Sequence, residues 1–139
     1  MNVFLDSSAL AKRYVDEAGS GRLEEILTAA SGLGVAVIAP TEVVSALCRR
    51  RREKHLTPSQ YEEAKAALFR DIADASVVGL TEQVVARAVD LLERWPLRSS
   101  DSLHVACAAE WSGDLFVTAD ERQSRAAREY GLRVEDLPM

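Results

Sequence analysis

The sequence predicts an α/β domain: a three-layer α/β/α sandwich around a mostly parallel sheet of about five strands. Two observations carry this prediction. Short apolar, often β-branched runs alternate with longer segments of helical period, and strands separated by helices pair in parallel. The length of 139 residues suits one compact domain with a sizeable core, and no linker, internal repeat or low-complexity tract divides it. A single domain spanning residues 1–139 is the expectation.

The elements follow in order. Val3-Phe4-Leu5 is the first strand candidate, and Asp6-Ser7-Ser8 behind it opens a helix. Gly19-Ser20-Gly21 reads as a turn and cap, since it follows a helix and lacks phosphate-loop spacing. Leu23, Ile26, Leu27 and Ala30 stripe the next helix, and Val35–Ile38 is the second strand candidate. Pro40–Ala75 holds two helices. The second opens at Thr57-Pro58-Ser59-Gln60, a capping-box spacing with proline at the first helical position, and Tyr61, Ala64, Leu68 and Ile72 line one of its faces. Ser76–Gly79 is the third strand. Thr81 then caps a helix striped by Val84, Val85, Ala88, Leu91, Leu92 and Trp95, which Pro96 stops. Leu115–Val117 and Leu132–Val134 complete the strand set. Trp95 and Trp111 read as core or dimer contacts.

Composition narrows the class. Hydrophobic residues make up 47% and charged residues 28%, an ordinary globular balance. No apolar stretch approaches the roughly 20 residues needed to span a bilayer, and no basic segment followed by an apolar run marks a signal peptide. A cytoplasmic protein with no membrane partner is expected. The net charge of −5 argues against nucleic-acid binding by bulk electrostatics alone. It does not argue against a nuclease whose acids gather around metal ions. Cys48 and Cys107 lie inside helices without a C-x-x-C, so they read as buried small hydrophobes. Two histidines, His55 and His104, are too few for a histidine-based metal centre.

The acids carry the functional signal. In open parallel sheets, ligands bind outside the carboxyl ends of the strands. Asp6 follows the first strand directly, Glu42 lies just past the second, and Asp120 lies three residues past Val117. Asp101 opens the helix leading into the fourth strand, and a crossover helix begins at the same edge. Each has a local explanation: Asp6 and Asp101 suit helix N-termini, and Thr118-Ala119-Asp120-Glu121 fits a capping box with Asp120 a mere first-turn acid. Together these explanations fit poorly. Clustered carboxylates repel, and no lysine lies close by in sequence. A hard divalent cation with oxygen ligands resolves the conflict. Such a site suits phosphodiester hydrolysis, in which the ion makes a bound water acidic enough to attack. Ser7, Ser8, Thr118 and Ser124 lie near enough in sequence to assist as hydrogen-bond donors or water ligands.

VFLDSSALAKRYVDEAGS, PTEVVSALCR, LRSSDSLHVACA and FVTADERQSRAA, in that order, resemble the acidic motifs of the PIN-domain ribonucleases. The particular resemblance is to the VapC toxins of VapBC toxin–antitoxin pairs, and it covers nearly the whole chain. It implies a PIN-like sandwich that binds Mg²⁺, with Mn²⁺ able to substitute, and cleaves single-stranded regions of RNA. On this resemblance Asp6, Glu42 and Asp101 match the three most typical acids and Asp120 the more variable fourth. Thr118 matches the hydroxyl residue two before the last acid, and Ser7 the small polar residue after the first. The resemblance also implies a VapB-type antitoxin partner, to which operator binding would fall, and a homodimer or toxin–antitoxin hetero-oligomer.

Other features carry two readings. Arg49, in the basic run CRRRREKH, lies two turns from Glu42 on the same helical side. It is either a contact for RNA phosphate or a solvated helix end complementing the dipole. Arg98, just before the Asp101 helix, is a similar candidate. His104 lies one turn past Asp101 on a mostly apolar helix and reads as packed or hydrogen-bonded rather than as a general base. Two other Mg²⁺ chemistries place an aspartate after the first strand and fit poorly. An aspartyl-phosphate phosphatase expects a second acid where Ser8 stands, and a receiver expects an acidic pair and a strand-end lysine, yet the lysines are Lys12, Lys54 and Lys65. The better rival is a catalytically silent PIN-like RNA-binding or scaffold protein, which loss of an acid would mark.

Overall fold

Alternation along the first strand sets the layers. In β1 (Asn2–Leu5), Val3 and Leu5 point to one side and Phe4 to the other, and all three are buried. A strand apolar on both faces needs cover on both. The computed structural model, which describes every residue from Met1 to Met139, supplies it. On the Val3 and Leu5 side lie α1 (Ser7–Ala11), α2 (Ser20–Ala29), α3 (Ala39–Arg52) and α4 (Pro58–Asp74). They contribute Leu10, Leu23, Leu47 and Leu68 to one core. On the Phe4 side lie α5 (Glu82–Arg94), α6 (Ser99–Trp111) and α7 (Glu121–Glu129), with Leu91, Val105 and Ala127 in a second core.

The sheet is parallel throughout. β2 (Gly32–Ala36), β3 (Ser76–Val78), β4 (Leu115–Thr118) and β5 (Val134–Asp136) join β1 in the order β3-β2-β1-β4-β5. The chain winds outward from β1 to β2 and β3, then crosses back to build β4 and β5 on the other side. The crevice at such a reversal, beyond the carboxyl ends of β1 and β4, is where this architecture binds ligands. Asp6 and Asp120 stand there. The expected three-layer parallel fold is what the chain adopts.

Three details differ from the sequence expectation. β2 spans Gly32–Ala36 rather than Val35–Ile38, because Ile38 already turns into α3. Gly34 belongs to that strand for a steric reason: a Cβ there would lie 2.8 Å from the Trp111 ring, which packs against Phe4. β5 begins at Val134, not Leu132, because the Leu132 N–H is committed to the Ala127 carbonyl at the exit of α7. Of the α5 stripe only Val84, Ala88 and Leu91 are buried, while Val85 and Leu92 turn to solvent with Val89. No helix is long and apolar enough to cross a membrane.

Candidate active site

Asp6 is buried completely, and three neutral groups hold it. As the N-cap of α1 it accepts the Ala9 N–H at 2.9 Å. Thr118 Oγ1 donates to Oδ2 at 2.6 Å, and the single Ser8 hydroxyl proton is shared between the two oxygens at 2.7 and 2.9 Å. No cation pairs with it within the protein. Burial pushes its carboxyl above the usual range, outweighing the pull of the Thr118, Ala9 and Ser8 hydrogen bonds. The helix-cap explanation holds at this residue, and the cap leaves its charge without a cation of the protein.

Glu42 sits in the first turn of α3, with a side chain 35% exposed. Ser7 Oγ donates to its Oε1 at 2.7 Å, and His104 Nε2 lies 2.5 Å from the same oxygen. Burial pushes the Glu42 carboxyl up, but the hydrogen bonds from His104 and Ser7 prevail and hold it below the ordinary range. His104 is buried as the sequence suggests, yet its ring is a partner of Glu42 rather than core filling. Its spacing of one turn from Asp101 was the signal.

Asp101 and Asp120 meet a cation instead. Asp101, at the third position of α6 and buried, accepts the Arg98 N–H at 3.1 Å and its Nε and Nη2 at 3.2 and 3.4 Å. Gln123 Nε2 adds a bond at 3.0 Å. Arg98 Nη2 lies 3.7 Å from Asp120 Oδ2. The cation absent from the sequence neighbourhood of the acids as a lysine is thus present as Arg98, lying on the acids themselves. Asp120 is itself the N-cap of α7, accepting the N–H groups of Arg122 and Gln123, so the cap is not Thr118. Thr118 instead accepts the Asp120 N–H at 3.0 Å while donating to Asp6. Ser124 takes no part, being bonded to Arg128 at 2.6 Å.

All four acids share the rim, but no three of them close on a single point. The donor set still suits a hard cation by type: carboxylates, the hydroxyls of Ser7, Ser8 and Thr118, and the buried Gln123 Oε1, which has no partner. Two clefts flank the β4–α7 turn at Ala119. One, of about 650 Å³, runs past Ser8, Lys12, Arg49, Arg50 and His55. The other, of about 1390 Å³, runs past Asp120, Arg122, Arg125 and Arg128. Arg49 thus faces a cleft that begins at Ser8, while Arg98 lies within the acid cluster. Sequence reasoning missed Gln123, one turn into α7, whose amide reaches back to Asp101.

Residues 3–129 match the PIN domain family. The chain is a PIN-domain protein. At 33% identity over 93% of this chain and 92% of the relative, it is similar to ribonuclease VapC47 of Mycobacterium tuberculosis. Among solved structures this PIN domain is similar in fold to VapC20 of the same organism, a sarcin-ricin loop cleaving toxin. The two share a TM-score of 0.70 and 18% identity over 89% of this chain and 94% of that one. It is also similar in fold to VapBC2 from Rickettsia felis bound to a DNA fragment from their promoter. There the TM-score is 0.69 and the identity 12% over 99% of both chains.

Proposed function

We propose that this PIN domain is a Mg²⁺-dependent endoribonuclease, the toxin of a type II toxin–antitoxin pair, hydrolysing phosphodiester bonds in single-stranded regions of RNA. One observation carries the reading: a fully buried carboxylate, Asp6, stands at the sheet's switch point among oxygen donors, with no cation of the protein paired to it. The VapC relative supports the choice of RNA.

When bound, Mg²⁺, or Mn²⁺ in its place, would supply Lewis acidity to activate water and positive charge for the phosphate. Asp6 and Asp101 are the central ligands in this reading, with Glu42 and Asp120 completing or orienting the set. Thr118 fixes Asp6 and Asp120 relative to each other through one hydroxyl. Ser7 and Ser8 hold Glu42 and Asp6 at the heights their strand and helix ends give them. Arg98, 70% exposed at its side chain, can leave Asp101 and Asp120 and turn to a phosphate oxygen, while its backbone N–H keeps Asp101 in place. Arg49 stands ready for a phosphate further along the cleft.

A VapB-type antitoxin is the proposed partner, supported by the likeness to VapBC structures. Exposed Val85, Val89 and Leu92 along α5 offer an apolar face for a homodimer. The protein is expected to work in the cytoplasm. The rival, a silent RNA-binding PIN domain, is disfavoured by the presence of all four acids.

The deciding experiment incubates purified, antitoxin-free protein with total RNA in Mg²⁺, in Mn²⁺ and in EDTA, beside Asp6→Asn. Discrete fragments that need the metal and vanish in the variant are expected. A folded protein that cuts nothing in either metal, yet binds RNA, would favour the silent reading.

A further inference from the structure

His104 is a costly choice for a core position. Its ring is buried, and Nδ1 has no hydrogen-bond partner. A buried polar atom left unpaired destabilises the fold, and an apolar ring in the same space would avoid that loss. What the imidazole does make is a contact of 2.5 Å from Nε2 to Glu42 Oε1. A carboxylate oxygen only accepts, so Nε2 carries the proton.

Ser7 closes the arrangement. Its single hydroxyl proton goes to Glu42 Oε1 at 2.7 Å, so its 3.1 Å approach to Nε2 is one in which the serine oxygen accepts. The Nε2–H is therefore shared between Ser7 and Glu42. Both donors fall on the same carboxylate oxygen, and Oε2 makes no hydrogen bond within the protein. A carboxylate saturated on one oxygen and free on the other cannot rotate without losing both bonds.

We infer that His104 is a positioning residue: with Ser7 it locks Glu42 through Oε1, so that Oε2 is the oxygen presented to a divalent ion or its bound water. The three residues come from α6, α1 and α3, so the lock also ties the starts of three helices across the sheet. Partners behind metal-binding carboxylates tune affinity in this way. The inference rests on the nuclease reading above.

The test uses His104→Phe, His104→Gln and His104→Asn beside wild type. Readouts are Mn²⁺ affinity without RNA, melting in EDTA, and steady-state cleavage. His104→Phe is expected to melt no lower than wild type, since it removes the unpaired nitrogen, yet to bind Mn²⁺ about 10- to 100-fold more weakly. Its kcat should fall while KM for RNA holds. His104→Gln carries an N–H near the reach of Nε2 and should recover most of the affinity. His104→Asn carries its amide too far back and should not. Should the phenylalanine variant fail to fold, the glutamine–asparagine contrast decides alone.

Equal Mn²⁺ affinity in wild type and the variants would overturn the inference while leaving the nuclease reading intact. So would a loss in glutamine and asparagine alike that tracks a lowered melting point, because that pattern marks a structural role. A wild type that binds no Mn²⁺ and cleaves no RNA would instead remove the nuclease reading, and this inference with it.

Discussion

The two sides of the acidic rim hold their carboxylates by different means. Asp6 is held by neutral donors, the Ala9 N–H and the hydroxyls of Ser8 and Thr118, and Glu42 by the Ser7 hydroxyl and the His104 ring. Asp101 and Asp120 are bridged by a guanidinium. Neutral donors fix a carboxylate's direction without cancelling its charge, whereas Arg98 does both. The inner side therefore keeps its demand for positive charge. The outer side has met that demand with a cation on an exposed stem. Under the proposed nuclease reading, a divalent ion would meet uncompensated carboxylates on one side and a competing cation on the other.

Removing the inner charge should have the largest effect. Asp6→Asn keeps one oxygen for the Ala9 N–H and the Ser8 hydroxyl and turns an amide N–H toward Thr118 Oγ1, reversing that bond, yet cleavage should fall by about 10³-fold or more. Stability should move the other way. Burial raises the Asp6 pKa above its ordinary value near 3.8. A carboxyl raised in the folded state favours folding while protonated, and that contribution is lost as pH rises through the folded pKa. In EDTA at neutral pH, Asp6→Asn should thus be more stable than wild type, and the gap should narrow as pH falls toward 5. Glu42 does not blur this window. Its pKa is lowered from 4.5, so the stability it gives is lost only below that value. Urea midpoints for both proteins between pH 7.5 and 5 check the trend, and a gap independent of pH would mean that Asp6 bears no penalty for its burial.

Thr118 joins the two sides. Its Oγ1 donates to Asp6 and accepts from the Asp120 N–H, so one atom sets their relative position. Thr118→Val keeps the shape and removes both bonds inside a buried site. A loss of about 1–3 kcal/mol in unfolding free energy is expected, together with weaker cleavage. If cleavage fell only in proportion to stability, the bridge would be structural alone.

Arg98→Ala tests the outer side. Metal-free protein should melt lower, because Asp101 keeps only the Arg98 backbone N–H and Gln123 as partners. Mn²⁺ should bind about tenfold more tightly, a gain of about 1.4 kcal/mol, and so raise the melting point more than in wild type. An unchanged metal response would show that Arg98 does not compete for the place.

Much of this was legible in the sequence, and the rest was hidden for identifiable reasons. Period and length located all five strands, since apolar alternation survives in the amino-acid order. The strand ends slipped where tertiary contact overrode propensity, as at Gly34 beneath Trp111 and at Leu132 tied to α7. The acids could be placed because a parallel sheet brings the strand ends to one edge. Their partners could not, because partnership depends on side-chain reach across elements. His104 meets Glu42 from 62 positions away and Thr118 meets Asp6 from 112. Arg98 was visible as a charge, but not as one folded back onto the helix it precedes.

The smallest effect separates the two readings of Arg49. This residue is exposed on α3, forms no ion pair, and faces the cleft that begins at Ser8. Its neighbours are committed elsewhere: Arg50 to Glu17 at 2.6 Å, and Arg51 over the Tyr61 ring. If Arg49 meets an RNA phosphate, Arg49→Ala should raise KM a few-fold and leave kcat alone. The salt dependence of RNA binding, measured with Asp6→Asn as background, should then lose about 0.7 from its log–log slope, one phosphate's share on a single strand. If Arg49 only complements the dipole at the end of α3, the slope stays and unfolding free energy drops by about 0.3–1 kcal/mol. The slope responds to counterions released from the nucleic acid, which a helix end does not touch, so it discriminates even where the change in KM is slight.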